Sequence, residues 1–286
     1  QYSNIPAAAL EVPKAALNGL KNNPHVAHVE VDQTVHIENQ NQDWGIPKLQ
    51  APSAWQSGFT GKGVKVSVVD TGISAHPDLT IAGGASFSTV TSSYADDNGH
   101  GTHVAGIIGA RNNSIGTVGI AHEASIYAVK ALEANGSGSL SSIIAGIDWS
   151  ITNDMDIINL SLGTTSPSTT LQQVVDRANN AGILVVAAAG NNGRTDGSGD
   201  LVNYPARYSS AIAVAATDIN NNRASFSATG GTVEVAAPGV SINSTLSNGG
   251  YGQMSGTSMA TPYVAGNLAL MKQAFPTLSS TQLRKI

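Results

Sequence analysis

The amino-acid sequence predicts an α/β protein, with a mostly parallel, doubly wound sheet and helices on both faces. Short β-branched apolar runs recur along the chain, at residues 64–69, 125–129, 156–160, 183–189 and 211–216. Between them, apolar residues at three- and four-residue spacing predict helices over 140–151 and 171–178. Near-continuous apolar strands are typical of a parallel sheet that is covered on both faces. Their alternation with helices favours an open sheet with right-handed crossovers.

The composition excludes several classes of function. The 286 residues include 14 Lys+Arg and 19 Asp+Glu, so the net charge is -5 and nucleic-acid binding is not expected. The longest apolar run, residues 183–189, is too short to cross a bilayer, so no membrane partner is expected. The chain has no Cys, which excludes disulfides and thiol chemistry.

Residues 1–38 differ from the rest of the chain and are expected to form a small α+β fragment. Pro13 suits the first turn of a short helix. Alternating apolar and polar residues predict an extended segment over 29–37. A piece of this size buries too little apolar surface to be stable alone, so it must lean on the body of the protein, residues 39–286.

Residues with polar or ionisable side chains lie at the carboxyl ends of the predicted strands, where open parallel sheets bind their ligands. The first strand ends at Asp70, the third leads into Ser161, and the fourth ends at Gly190 and Asn191. An unpaired carboxylate at the edge of a core is costly, so Asp70 is expected to have a partner.

That partner is expected in the segment Asn98–Gly106, which contains two histidines three residues apart. We expect His103 to open a helix over 103–110 and to reach the carboxylate. Two other interpretations stay open, a purely structural histidine and a metal pair formed with His100. Zinc would want a third ligand, and the chain has neither an HExxH motif nor a Cys.

Ser258 lies in the segment Met254–Pro262, directly before a strongly apolar helix that is expected to be buried. A Ser at a helix entrance is most often a cap, but the free N–H groups there also favour developing negative charge. An acid, a His and a Ser in one cleft perform acyl transfer. An α/β-hydrolase needs its Ser first along the chain, and the chymotrypsin-like order belongs to β-barrels. The remaining order is Asp70, His103, Ser258.

These residues stand in motifs that closely resemble the active-site signatures of the subtilisin family, Asp70–Gly72, His100–His103 and Gly256–Pro262. The likeness covers nearly all of residues 39–286, and the nearest group is the secreted high-alkaline bacillary type. The resemblance implies a subtilisin-like fold and a secreted serine endopeptidase of broad specificity. The order of its triad is the one known from subtilisin itself.

The resemblance implies catalytic roles by matched motif. Ser258 is implied as the nucleophile, His103 as the general base and then acid, and Asp70 as the residue that orients the imidazole. Asn191 is implied as the oxyanion donor, together with the Ser258 backbone N–H.

Two further residues near the nucleophile stand out. Met259 follows Ser258, and its oxidation would add a polar oxygen near the oxyanion site, so peroxide should lower activity. Tyr263 stands where the family usually has His, and we expect little chemical effect from this departure.

Substrate recognition is implied to rest on pairing with the peptide backbone. Two segments would sandwich an extended peptide, Gly136, Ser137, Gly138 and Ser161, Leu162, Gly163. The first subsite would be a roomy apolar slot against Ala188, Ala189 and Gly190. Because Asn192 and Asn203 at its rim are uncharged, large uncharged side chains should be preferred.

The metal that the resemblance implies is a structural calcium ion, and oxygen-only ligands suit Ca²⁺. The ligands would be the side chains of Gln40, Asp78 and Asn113 and the carbonyl oxygens of Arg111, Ile115 and Thr117. A plain surface turn is the alternative interpretation of this loop.

Residues 1–38 resemble the C-terminal half of the family's propeptide, which implies an intramolecular inhibitor that assists folding. We place self-cleavage at Glu38–Asn39, with Val35 in the apolar fourth subsite, although Glu38 conflicts with the expected preference. The expected partners are protein or peptide substrates and this propeptide, and the enzyme is expected to be an extracellular monomer. The chain stops at Ile286, before the family's usual end, so a truncated catalytic domain is expected. An intracellular subtilisin and a catalytically silent relative are the alternatives.

Overall fold

The computed structural model describes residues 6, 8, 10–30 and 40–286. The chain divides into two compact units, residues 1–38 and 39–286, and each is described by itself. Most of the predicted extended segment, Val35 and the Glu38–Asn39 bond lie outside the described residues.

The first unit contains the short helix that the sequence predicts. Pro13 precedes a turn of 3-10 helix, Lys14–Ala16, which continues into helix α1, Leu17–Lys21. No residue of this helix is buried within the chain.

The second unit is built on a seven-stranded sheet. Its strands are β1 Lys65–Asp70, β2 Ile81–Ser86, β3 Ser125–Lys130, β4 Ile157–Leu160, β5 Leu184–Ala188, β6 Ile212–Thr217 and β7 Val233–Pro238. Their order across the sheet is β2-β3-β1-β4-β5-β6-β7, and every pairing is parallel. The five strands predicted from apolar runs are the five interior strands, and this confirms the predicted fold class.

The two edge strands were not predicted, because they are less buried and lack a continuous apolar run. β2 contains Gly83 and Gly84 and is half-buried along most of its length, and β7 is exposed at its centre. An antiparallel hairpin of β8, Ile242–Thr245, and β9, Tyr251–Met254, lies outside the main sheet and was also not predicted.

Helices cover both faces of the sheet. They are α2 Gly45–Lys48, α3 Ala51–Gln56, α4 His100–Gly109, α5 Leu140–Thr152, α6 Thr169–Asn180, α7 Thr257–Ala274 and α8 Ser280–Leu283. Val68 of β1 faces one core, with Val104 of α4 and Ala265 of α7. The next residue, Val69, faces the other core, which includes Ile147 of α5. Full burial of such a side chain contributes roughly 1.5–3 kcal/mol, so packing on both faces holds β1 firmly in the sheet. Among the described residues, no helix combines the length and apolarity that crossing a membrane requires.

Candidate active site

Asp70 ends β1 as a fully buried carboxylate. Its Oδ1 accepts a hydrogen bond of 2.7 Å from the Thr71 N–H and lies 2.7 Å from Nδ1 of His100. Its Oδ2 is also buried and has no hydrogen-bond partner in the described part of the chain. An imidazole is therefore the partner that the sequence requires for this carboxylate.

The imidazole that faces this carboxylate belongs to His100, so the prediction that His103 completes the triad is wrong. Helix α4 begins at His100, three residues earlier than expected, after Gly99 turns the chain with φ 107°. A Cβ at Gly101 would lie only 2.1 Å from the Gly72 carbonyl oxygen. Glycine there lets the first turn of α4 pack directly against the end of β1.

His103 lies one turn deeper in α4 and is fully buried. Its Nε2 lies 3.0 Å from the Ile242 carbonyl oxygen and 3.0 Å from that of Gly252, both in the hairpin β8–β9. Because carbonyl oxygens only accept, Nε2 carries the proton and Nδ1 is the bare nitrogen. Burial outweighs these two hydrogen bonds and lowers the pKa of His103 to about 4. The geometry thus supports the structural interpretation of this histidine.

His100 has the opposite electrostatic surroundings. Burial by itself favours the neutral ring, but the charge and hydrogen bond of Asp70 and the charge of Asp96 oppose it. Together these two carboxylates hold the pKa of His100 above its ordinary value of 6.5. Its side chain is 27 % exposed, so it is also accessible from the surface.

Ser258 is the second residue of α7, as its position at a predicted helix entrance requires. Its Oγ donates to the Ser161 carbonyl oxygen at 3.1 Å, and the Ser161 Oγ donates to the Ser258 carbonyl oxygen at 2.7 Å. Ser258 and His100 line the same groove, which has a volume of about 620 Å³. The structure therefore brings an acid–imidazole pair and a half-buried hydroxyl to one groove.

Asn191 lies beside the start of α7, at the turn after β5. Its Oδ1 accepts hydrogen bonds from the Thr257 N–H (2.8 Å) and the Thr257 Oγ1 (3.0 Å). These contacts fix the amide so that Nδ2 remains as a donor, and a Cβ at Gly256 would lie 3.3 Å from it. A held amide donor next to a helix N-terminus suits a developing negative charge.

The groove is lined by both segments that were predicted to pair with a peptide. These lining residues are Gly136, Ser137, Gly138, Ser161, Leu162 and Gly163. Its walls also include Leu132, Leu140 and Ile143, which give this part of the groove an apolar surface.

Residues 61–286 match the subtilase family, Peptidase S8. The chain belongs to the subtilase family of serine endopeptidases. It is 53% identical over 285 residues to the thermostable alkaline protease of Halalkalibacterium halodurans, an alignment that covers 100% of this chain and 77% of that protein. It is 51% identical over 286 residues to subtilisin E of Bacillus subtilis, covering 99% of this chain and 75% of the relative.

A longer relative is also similar to this subtilase. The chain is 50% identical over 300 residues to the minor extracellular protease Epr of Bacillus subtilis, covering 100% of this chain and 46% of that protein. All three alignments extend over residues that precede the match to the family, including most or all of the first unit.

Three small residues were predicted to form the first subsite of this subtilase, Ala188, Ala189 and Gly190. Ala188 and Ala189 are 4% and 0% exposed, and neither lines the groove. A Cβ at Gly190 would lie 2.7 Å from Asn203 Nδ2 and 2.8 Å from Asn192 Oδ1. The two uncharged amides therefore lie close to Gly190, and the roomy slot stays a prediction.

The residues predicted to hold calcium form one hydrogen-bonded cluster. Asp78 is fully buried, and its carboxylate accepts from the Asn113 Nδ2 at 2.8 Å and from the Thr117 N–H at 3.0 Å. Gln40 Nε2 donates to the carbonyl oxygens of Arg111 and Thr117. Ile115 lies in the same loop, where its N–H donates to the Asn113 Oδ1 at 2.8 Å. The oxygens of this set, with one buried carboxylate, fit a hard cation such as Ca²⁺.

Sequence analysis missed two residues that the structure places around the Asp70–His100 contact. Asp96 accepts hydrogen bonds from both sides of the Asp70–His100 contact. Lys130 of β3 is fully buried and donates to the Thr71 carbonyl oxygen, 2.8 Å away. Lys130 directly follows the predicted strand run 125–129, so extending that run by one residue would have shown a lysine at the end of a buried strand. Asp96 offered only its place shortly before the histidine motif.

Proposed function

We propose that this subtilase hydrolyses internal peptide bonds of proteins, with Ser258 as nucleophile, His100 as general base and acid, and Asp70 as the residue that orients the imidazole. The observation that supports this assignment most strongly is the 2.7 Å contact between Asp70 Oδ1 and His100 Nδ1, at the edge of the groove that Ser258 also lines. Because Nδ1 faces the carboxylate, Nε2 is the ring nitrogen left to exchange a proton with Ser258.

In the acylation step, Ser258 Oγ attacks the carbonyl carbon of the scissile bond while His100 Nε2 takes the hydroxyl proton. The imidazolium is stabilised by Asp70, which stays ionised. The C–N bond then breaks, and the leaving amine receives the proton from Nε2. In deacylation a water gives one proton to His100 Nε2 and attacks the ester carbonyl carbon. The bond from that carbon to Ser258 Oγ then breaks, Nε2 returns the proton to Oγ, and the carboxylic acid product leaves.

The oxyanion formed in both steps would be stabilised by two donors. One is Nδ2 of Asn191, whose amide is held through Oδ1 by Thr257. The other is the backbone N–H of Ser258 in the first turn of α7, where N–H groups lack an acceptor within the helix. Donors fixed in advance need no reorganisation when the charge develops.

We propose that the substrate binds as an extended strand between the segments 136–138 and 161–163. Both segments line the groove, and glycines at their ends allow close approach of a peptide backbone. No acidic or basic side chain is among the residues that line the groove apart from His100. This supports a broad preference for uncharged side chains.

The assignment is tested by labelling with a sulfonyl fluoride reagent, mapped by mass spectrometry. We expect one mole of label per mole of enzyme on Ser258, with loss of activity in proportion, and no label in Ser258→Ala. Stoichiometric label on another residue, or full activity of the labelled enzyme, would contradict the assignment.

We also propose a structural calcium site formed by Gln40, Asp78, Asn113 and the carbonyl oxygens of Arg111, Ile115 and Thr117. The buried Asp78 carboxylate and the oxygen-rich loop support it. Bound calcium would neutralise this carboxylate and tie residue 40 to the loop, so chelation should destabilise the fold. We expect EDTA to shorten the half-life at elevated temperature at least several-fold, and Asp78→Asn to abolish that dependence. Equal half-lives with and without EDTA would remove this site.

Residues 1–38 are proposed as the C-terminal part of an inhibitory propeptide, and the enzyme as an extracellular monomer. Two of the relatives named above align over the whole of this chain, and one of these is named an extracellular protease. All proposed catalytic residues lie within the second unit, so a single chain suffices. N-terminal sequencing of the active enzyme is expected to begin within residues 37–41. A start well outside that range would overturn the proposed cleavage.

A further inference from the structure

Asp96 is a buried carboxylate beside the triad that the reaction described above does not use. It is 8% exposed, and five donors point at it. Its Oδ1 accepts from Thr71 Oγ1 (2.8 Å), Asn98 N–H (3.0 Å) and Gly99 N–H (2.8 Å). Its Oδ2 accepts from the Thr102 N–H (2.9 Å) and the Thr102 Oγ1 (2.6 Å). Although burial opposes ionisation, the hydrogen bonds from Gly99, Thr102 and Asn98 hold the pKa of Asp96 below its usual value.

These five hydrogen bonds join the two pieces of chain that carry the acid and the base. Thr71 directly follows Asp70, whereas Gly99 directly precedes His100 and Thr102 lies in the first turn of α4. The Thr71 Oγ1 also accepts from the Gly101 N–H at 2.9 Å, so the bridge continues into the helix. Two of the donors are free N–H groups at the beginning of α4, which a carboxylate caps well.

We propose that Asp96 is a positioning residue for the reaction, one that locks the start of α4 onto the end of β1 and adds a second negative charge to stabilise the imidazolium of His100. This proposal rests on the proposed role of His100 as the general base. The site favours an ionised carboxylate at position 96, because all five partners are donors. The amide of an asparagine there would point one of its own N–H groups at a backbone N–H. Asp96 touches neither substrate nor reacting atoms and acts through the Asp70–His100 pair.

Other charges surround His100 and must be held constant in a test. The titratable and charged groups near it are Asp70 at the end of β1, Asp96 and Asp97 before α4, His103 one turn into α4, and Lys130 on β3. Lys130 pairs with Asp97 at 2.6 Å and also contacts the Thr71 and Leu132 carbonyl oxygens. It therefore offsets the charge of Asp97, so Asp96 is the second negative charge that acts on His100 besides Asp70.

The test compares the pH dependence of kcat/KM in wild type, Asp96→Asn and Asp148→Asn, with an uncharged peptide substrate. Activity rises with pH as His100 loses its proton, so removing a nearby negative charge moves this rise to lower pH. We expect a shift of roughly half a unit or more in Asp96→Asn and a fall in plateau kcat of about tenfold to a hundredfold. Asp148 is exposed on α5, and Asp148→Asn should follow wild type at every pH.

A second variant separates position from charge. Thr71→Val removes the hydroxyl that bridges Asp96 and Gly101 but leaves the carboxylate ionised. It should lower kcat without moving the pH at which activity rises, and it keeps the test decisive if Asp96→Asn does not fold. A pH profile of Asp96→Asn that coincides with wild type, or a wild-type kcat in Thr71→Val, would overturn the proposal. Absence of hydrolysis by wild type would instead contradict the proposed function.

Discussion

His100 and His103 lie three residues apart on α4, yet their surroundings give the two imidazoles opposite properties. His100 stands where the helix meets the groove, and Asp70 and Asp96 favour its charged form. His103 lies between the same helix and the hairpin β8–β9, and burial favours its neutral form. One ring is therefore prepared to take up a proton at the surface, whereas the other is a neutral hydrogen-bond donor that ties two elements together.

The difference teaches that position along α4 decides which of the two histidines is suited to act as a general base. Only the first turn of α4 faces both the carboxyl end of β1 and the groove. A base must reach the reacting atoms, and a general base is most effective when its pKa lies near the working pH. His103 meets neither condition.

The largest effect is expected when each of the two histidines is replaced separately and the losses of kcat are compared. His100→Ala should lower kcat on the order of 10⁶-fold, a magnitude measured on subtilisin itself. His103→Gln keeps a side-chain donor and should retain kcat within about tenfold, while it loses stability. Steady-state kinetics on folded protein, checked by circular dichroism, measures both. A greater loss of kcat in His103→Gln than in His100→Ala would reverse the comparison.

A second prediction concerns the side-chain amide of Asn191. Asn191→Ala should lower kcat by about 10²- to 10³-fold with little change in KM, because the amide acts on the oxyanion; this range too was measured on subtilisin. Asn180→Ala, at the exposed end of α6, is the matched control and should behave as wild type. Equal kcat in Asn191→Ala and Asn180→Ala would contradict the proposed donor.

The buried side of the comparison predicts a pH dependence of stability. The pKa of His103 is about 4 in the folded protein and about 6.5 when unfolded, so only the unfolded chain gains a proton between these values. The free energy of unfolding should therefore be highest above pH 6.5 and fall as the pH drops toward 4, by on the order of 3 kcal/mol from this residue. Urea denaturation of Ser258→Ala, which avoids self-digestion, measures it.

The control for this effect is Ser258→Ala combined with His103→Gln. The double variant should be less stable at neutral pH but should show a smaller loss between pH 6.5 and 4. An identical pH dependence with and without His103 would show that other groups cause the fall.

The smallest effect is expected from Met259, which is 2% exposed and follows Ser258, the proposed nucleophile. Peroxide should convert it slowly to the sulfoxide and lower activity several-fold, because a polar oxygen then lies near the oxyanion donors. Met259→Leu should resist the treatment, and peptide mapping follows the oxidation. Full activity after sulfoxide formation at Met259 would contradict this prediction.

Much of this arrangement could be predicted from the sequence. The five interior strands were identified because a sheet covered on both faces requires nearly continuous apolar runs. Asp70, Ser258 and Asn191 were selected as candidate site residues because they lie at predicted strand and helix ends, and the family resemblance implied their roles. The choice of His103 over His100 was wrong because it required the exact start of α4. That start depends on Gly99 and on a close approach at Gly101, which periodicity does not reveal.

The remaining failures have a common physical cause. The hairpin β8–β9 supplies the partners of His103. Its strands are only four residues long, β9 is only partly buried, and the buried residues of β8 include the polar Ser244 and Thr245, so no apolar run indicates these strands. Asp96 likewise acquires its role from donors on two elements.

The most direct test of the account is to titrate both imidazoles in one molecule, by NMR of histidine-labelled Ser258→Ala with assignments from His100→Gln and His103→Gln. His100 should titrate above 6.5, in step with the rise of wild-type kcat/KM, and His103 should remain neutral down to about pH 4. If the ring that follows the activity profile is His103, or if His100 stays neutral throughout, the assignment of the general base is wrong.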